Sequence, residues 1–217
     1  TGPATNSRPA PSSPHSSTRP GQHDPRERAE ARAGGGGIRV ELVPASTFDL
    51  ARLAELFTAG YENYFVPFHI DEPMLRTMVD AFDIALDRSR VAVGEEGEPV
   101  GLANLAVRGD RGWIGGIGVV VKARRHGIGR QLMESVLADA PDEVWLEVIE
   151  ENAPAIALYE QLGFERTRML EVWSLTGDAP ASTARPASFD EAHAAIVELR
   201  RDRPPWQRDD ESLSPDL

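Results

Sequence analysis

The chain has 217 residues, 41% of them hydrophobic, which suits one folded domain of ordinary size with tails. Its net charge is −12, and residues 1–37 carry five Arg against three acids, so the remainder sits near −14. A body this acidic excludes nucleic acid and an anionic membrane as partners, since both need a basic face. The absence of cysteine excludes disulfides, thiolate metal sites and cysteine nucleophiles, and no metal is expected.

Residues 1–37 are rich in Pro, Ser, Gly, Thr and Arg and end in four glycines. That composition cannot bury enough surface to offset its ordering entropy, so a disordered tail with a flexible hinge is expected. No charged-then-apolar leader opens the chain, and its longest apolar run, Trp113 to Val121, is too short to span a bilayer. A cytoplasmic protein is the expectation.

Ile38 to Val43 alternates apolar and polar residues and reads as a strand. Thr47 is placed to cap a helix with Leu50, Leu53, Leu56 and Phe57 on its apolar side. An irregular aromatic stretch, Tyr61 to His69, precedes a second helix opened by Asp71 and Pro73 and running to about Phe82. From Ser89 the period becomes two. Arg90 to Glu95, Val100 to Val107 and Trp113 to Val121 read as strands joined by tight turns, hence an antiparallel meander. Gly127 to about Ala140 reads as a helix, Val144 to Ile149 as a strand, and Asn152 as the cap of a helix closed by Gly163. Arg168 to Leu175 reads as a last strand. Residues 176–187 look like a linker, and Ser188 with Glu191 forms a capping box for a final helix to about Arg201. That helix either packs on the main domain or begins a second module. The fold class is α/β, of the α+β type with a mixed sheet. The divisions are a tail over 1–37, a domain over 38–177 and an extension over 178–217.

The chemistry is concentrated at Arg124-Arg125-His126-Gly127-Ile128-Gly129, between an apolar strand and a helix. Two glycines let the backbone approach a ligand, and a helix start offers unpaired amides with partial positive charge. Arg124, Arg125 and Arg130 would add mobile charge at the rim, and the whole suits a pyrophosphate. A dinucleotide fingerprint needs a third glycine where Leu132 stands. The triphosphate loop needs Gly-Lys-Ser/Thr, and the single lysine is Lys122.

The run Val119 to Gly129 resembles the acetyl-CoA motif of the GNAT acetyltransferase superfamily, Arg/Gln-x-x-Gly-x-Gly/Ala. A second stretch agrees: Trp145-Leu146-Glu147-Val148, Asn152, Ala155 to Glu160, then Leu162-Gly163-Phe164. It is similar to the ribosomal-protein alanine acetyltransferase branch. The resemblance covers about residues 38–176 and implies the GNAT acyl-CoA acyltransferase fold. It further implies that the backbone of Ile117, Gly118 and Val119, with Val121, lines the pantetheine arm of acetyl-CoA. Amides from Arg125 to Arg130, in a loop holding Arg124, His126, Gly127, Ile128 and Gly129, would hold the pyrophosphate. Asn152 would contact the cofactor, Tyr159 would protonate the departing thiolate, and Glu147 would take a proton from the acceptor ammonium.

The residues bear on these roles separately. An ammonium must lose a proton before attack, and a carboxylate inside an apolar run is costly unless paired or used. Tyr159 also fits a core position and Asn152 a plain helix cap. The resemblance implies a base on the strand Trp113 to Val121 in other members of the superfamily; that strand holds no carboxylate or histidine here, which leaves Glu147, Glu62 or His69. Tyr61, Tyr64, Phe65 and His69 are expected to wall the acceptor site. The segment holding them, and the extension after residue 177, depart from the alanine acetyltransferase pattern. Pro204-Pro205-Trp206-Gln207 resembles GNAT proteins with a second, degenerate half. The expected activity is N-acetyl transfer from acetyl-CoA to a peptide α-amine or a small-molecule amine, by a monomer or homodimer. The alternative is a non-catalytic acyl-CoA sensor or assembly module.

Overall fold

The computed structural model describes residues 38–172, 174 and 185–213. The tail expected over 1–37 and most of the linker expected over 176–187 lie outside the described residues.

Five strands form one sheet in the order β1 (Val40–Pro44), β2 (Arg90–Gly94), β3 (Pro99–Arg108), β4 (Arg111–Val119) and β5 (Glu143–Trp145). The first four pair antiparallel, as the period-two pattern and tight turns require. β5 pairs parallel to β4, and a parallel neighbour needs a crossover. Helix α3 (Ile128–Ala138) supplies it.

The other helices start where a side-chain oxygen can take a free amide. α1 (Leu50–Gly60) is capped by Asp49, whose carboxylate accepts from the Arg52 amide at 2.7 Å. Thr47, the expected cap, instead ends a short 3-10 turn and donates its hydroxyl to the Pro44 carbonyl. Asp49 wins because it stands directly before the helix. α2 (Glu72–Ala81) starts at Asp71 with proline in its first turn. α4 (Ala153–Gln161) is capped by Asn152, and Gly163 closes it at φ 92°, a left-handed conformation suited to glycine. α5 (Phe189–Leu199) carries the Ser188/Glu191 capping box.

β3 is buried on both faces, and its alternate side chains enter different clusters. Leu102 packs with Leu53, Phe57 and Leu75 of α1 and α2. Ala103 and Leu105 pack with Ile128, Leu132, Met133 and Val136 of α3 and with Tyr159 of α4. The core is therefore two helix-covered faces of one sheet.

Two expectations at the far edge fail. The strand expected over Val144 to Ile149 stops at Trp145. Beyond the Trp113–Trp145 pair β4 and β5 separate, and a chain with no neighbour cannot continue a ladder. The strand expected over Arg168 to Leu175 is absent among its described residues; Met169, Leu170 and Val172 stand 67%, 46% and 100% exposed. No residue of α5 is buried. What packs on the domain is the segment after it, with Trp206 6% and Ser212 4% exposed.

β4 is pressed onto the end of α1. A Cβ on Gly118 would lie 3.0 Å from the Gly60 Cα, backbone against backbone, with no flexible atom to yield. Gly118→Val is expected to cost about 1–3 kcal/mol by overpacking, read as a lower urea midpoint at an unchanged slope.

Candidate functional site

After β4 the chain makes a 3-10 turn, Val121–Ala123, and reaches the loop before α3. Arg125 at φ 67° and Gly127 at φ 78° both adopt the left-handed region. Arg125 does so at a cost of roughly 1–2 kcal/mol, and two such residues in one short loop curl the backbone into an amide-lined concavity. The first bond inside α3 runs from the Gln131 amide to the Gly127 carbonyl at 3.1 Å. Gly127 caps with no side chain, so the amides of Ile128, Gly129 and Arg130 point outward unclaimed by the helix. Gly129 has no protein neighbour that demands glycine: an added Cβ would meet only Leu158, at 3.8 Å. Glycine inside a helix costs about 0.5–1 kcal/mol relative to alanine, so its presence fits a ligand lying close to the backbone.

The arginines do not all behave as rim charge. Arg124 donates Nε to the Val119 carbonyl at 2.8 Å, and Nη2 to the carbonyls of Gly60 at 3.1 Å and Glu62 at 2.7 Å. It is a brace between the end of β4 and the end of α1, which corrects the expectation of mobile charge. Such a carbonyl cluster is the counterpart a fixed guanidinium fork needs. Arg130 bonds to Glu134 and to the Gln161 side chain, and so faces α4. Arg125 and His126 remain exposed beside the amides. Asn152 spends its oxygen on the Ala155 amide at 3.4 Å and is half-buried.

β4 and β5 pair over three residues only, Arg111–Glu143 to Trp113–Trp145. Along the rest of β4, from Ile114 through Ile117, Gly118 and Val119, no strand pairs on the β5 side among the described residues. The register of β3 with β4 slips at Asn104/Leu105, which leaves Gly115 without a partner and adds a bulge at the start of the separation. The result is a wedge with a bare strand edge on one side, leading to the loop before α3. Val121, beyond the strand, is 42% exposed.

Glu147 lies just past β5. Its burial in an apolar strand does not occur: the side chain is exposed and accepts the indole Nε1–H of Trp113 at 2.7 Å. Separation of the strands carries it out of the sheet. No local signal in the sequence links Trp113 to Glu147, because one lies on β4 and the other past the end of β5, 34 residues on.

All three tyrosines of the chain gather nearby. Tyr159 is 8% exposed, and burial, with a smaller contribution from Tyr64, pushes its phenol up to about 12. Tyr61 is raised further, first by burial and then by Tyr159 and Tyr64, while the Ile117 backbone works against it. Rings of Tyr61 and Tyr64 meet edge to face at 4.9 Å, and Phe65, 53% exposed, extends the row at 5.4 Å from Tyr64. Phe68, not singled out from the sequence, packs on Tyr61 at 4.6 Å and on Phe57 at 5.2 Å. His69 is exposed and joins none of these ring contacts, and Glu62 contributes its carbonyl to the Arg124 brace.

Residues 50–164 match the sequence model of the family described as the acetyltransferase (GNAT) family. An N-alpha-acetyltransferase of Saccharolobus solfataricus is 35% identical over 81 residues, 35% of this chain and 48% of that protein. The mycothiol acetyltransferase of Clavibacter michiganensis is 40% identical over 83 residues, 37% of this chain and 26% of that protein. The chain thus spans about half of the first relative's length and about a quarter of the second's. A solved structure from Pyrococcus horikoshii OT3 superposes with TM-score 0.51 at 23% identity, over 62% of this chain and 94% of that one, and shares the fold. No helix among the described residues is long and apolar enough to cross a membrane.

The raised phenol has a stability consequence of fixed sign. The folded state holds the Tyr159 proton more tightly than the unfolded chain, whose tyrosine titrates near 10. Its contribution is whole below about pH 10 and is lost as pH rises to about 12, by roughly 2–3 kcal/mol. Ultraviolet titration of tyrosinate should show late-ionising tyrosines, and Tyr159→Phe should reduce that signal to the Tyr61 part and lessen the alkaline loss of stability.

Proposed function

As the chain belongs to the acetyltransferase (GNAT) family, whose model covers more than half of it, we propose that it moves an acetyl group from acetyl-CoA to a primary amine by direct attack in a ternary complex. The observation that carries this reading is the wedge. Its bare β4 edge ends at a loop whose amides are free, the shape of a slot for an extended arm that finishes in a pyrophosphate. The backbone of Ile117, Gly118 and Val119 takes the pantetheine like an added strand, with Val121 and Asn152 at its sides. The amides from Arg125 to Arg130, in the loop that Arg124 opens, take the pyrophosphate, and exposed Arg125 supplies outer charge with His126 beside it.

Glu147 takes the proton of the acceptor ammonium. The freed nitrogen attacks the thioester carbon, the C–N bond forms, and a β4 amide near Val119 faces the oxyanion. The C–S bond then breaks, and the sulfur carries away the electron pair. Tyr159 sets the limits of its own role. Burial favours its neutral phenol, so it stays protonated near neutral pH. Tyr159 therefore donates a hydrogen bond to the leaving sulfur; of the two protons the acceptor nitrogen gives up, one goes to Glu147 and the other to the departing thiolate.

Tyr61, Tyr64, Phe65 and His69 wall the acceptor side, Phe65 and His69 at its open rim. Peptide α-amines are the first acceptor class, in line with the N-alpha-acetyltransferase relative; a small-molecule amine, as the mycothiol acetyltransferase name suggests, is the second.

Peptides with free α-amines and simple aliphatic amines, mixed with acetyl-CoA and read by mass spectrometry, test the reaction. Glu147→Gln is expected to lower kcat by about 10²–10⁴ with acetyl-CoA affinity unchanged, and Tyr159→Phe by about tenfold, one lost hydrogen bond. Full turnover by both variants refutes the assignments. Calorimetric acetyl-CoA binding without turnover of any amine favours the sensor reading. Gly129→Glu places a carboxylate among the loop amides. It should weaken acetyl-CoA binding at least tenfold, yet leave stability unchanged or slightly raised, because an acid suits a helix start.

A further inference from the structure

Residues 200–212 lie outside the stretch that the family accounts for, 50–164, yet they form a fixed part of the wall beside Glu147. The indole of Trp206 lies 10° from parallel to that of Trp113, with centroids 6.1 Å apart. Its Nε1 donates to the Phe82 carbonyl at 2.8 Å, and the Arg108 guanidinium sits 4.4 Å over its ring. Arg108 in turn bonds Ser212 Oγ at 2.9 Å and Asp83 at 2.6 Å, while Arg111 holds Asp209 at 2.9 Å. Each of these ties joins the segment, or the arginine that grips it, to β3, β4 or the end of α2.

Trp113 has a single polar atom, Nε1, and spends it on Glu147. Its ring is held by Trp206 and by the edge of Phe82 at 5.9 Å. An exposed glutamate has three rotatable torsions and loses its orientation without a partner, so what fixes the indole fixes the carboxylate. Glu147 and Trp206 also line one cleft with Pro204, Pro205, Arg168 and Arg203, so an acceptor reaching Glu147 meets the segment.

We propose that the C-terminal segment orients the base: Trp206 fixes Trp113, Trp113 fixes Glu147, and both tryptophans are positioning residues for proton removal from the acceptor. This rests on the reading of Glu147 as the base. A merely structural Trp206 would lower stability when removed and leave the geometry of the remaining fold, including the Trp113–Glu147 bond, as it is.

The chain has four tryptophans, so its indole N–H resonances are few enough to assign by single Trp→Phe changes. In the full chain, Trp206→Ala and Glu147→Gln should each shift the Trp113 indole resonance, and Trp206→Ala should speed its hydrogen exchange at least tenfold. Trp206→Leu, which keeps apolar bulk but not the flat ring, replaces the alanine variant if that fails to fold. A Trp113 resonance indifferent to either change at position 206 in a folded protein overturns the proposal. With an acceptor peptide, Trp113→Phe and Trp206→Ala should each lower kcat about tenfold while KM for acetyl-CoA stays within twofold. In a Glu147→Gln background neither should lower it further, and additive losses there also overturn the proposal. If no amine is acetylated at all, the base reading falls while the spectroscopic link can still be seen, so the two failures are told apart.

Discussion

The parting of β4 from β5 after Trp113 and Trp145 is the constraint on which the rest of the site depends. A closed ladder would leave no bare edge, and Glu147 would lie inside the sheet. Three features hold the wedge open. The unpaired Gly115 bends β4 where the separation begins. Gly60 and Gly118 bring the end of α1 against β4 at backbone distance. Arg124 ties the same two elements through three carbonyls. Each acts through the backbone, which suits a slot expected to take its ligand by main-chain hydrogen bonds.

Arg124 shows how one position can serve a motif in an unexpected way. It opens the phosphate-loop pattern, and charge was its evident asset. In the fold its charge is spent on the carbonyls at the end of a helix, where a cation is electrostatically favoured. The backbone amides beyond it, in a loop curled by left-handed Arg125 and Gly127, stay unclaimed by the helix. Amides held in place cost no reorganisation when a ligand arrives, whereas a free arginine must be ordered.

Burial decides what the tyrosines can do. Desolvation is the largest influence on both Tyr61 and Tyr159, and it favours the neutral phenol. Neighbouring hydroxyls reinforce it, since no second phenolate is tolerated close by. Such a cluster donates hydrogen bonds and does not trade protons near neutral pH. The carboxylate of Glu147, by contrast, meets solvent and Trp113 on the exposed side of the wedge.

What the sequence determined by itself was set by interactions within a few residues. Asp71, Asn152 and Ser188 cap helices because their side chains reach amides two or three positions on. The meander follows from period-two alternation between tight turns, and the start of α3 from the glycines before it. The mixed sheet was legible on those grounds, and the family from the resemblance carried by Val119 to Gly129 and Trp145 to Phe164. Thr47 was misjudged because Asp49 offered a closer competitor. The tertiary structure alone decided where β5 ends, that Glu147 is exposed and bonded to Trp113, that Arg124 ties β4 to α1, and that Trp206 stacks on Trp113. These depend on partners far apart in the chain, 34 residues for Trp113 with Glu147 and 124 for Phe82 with Trp206. No local period or cap encodes such a distance, because the pairing exists only once the sheet has set its neighbours.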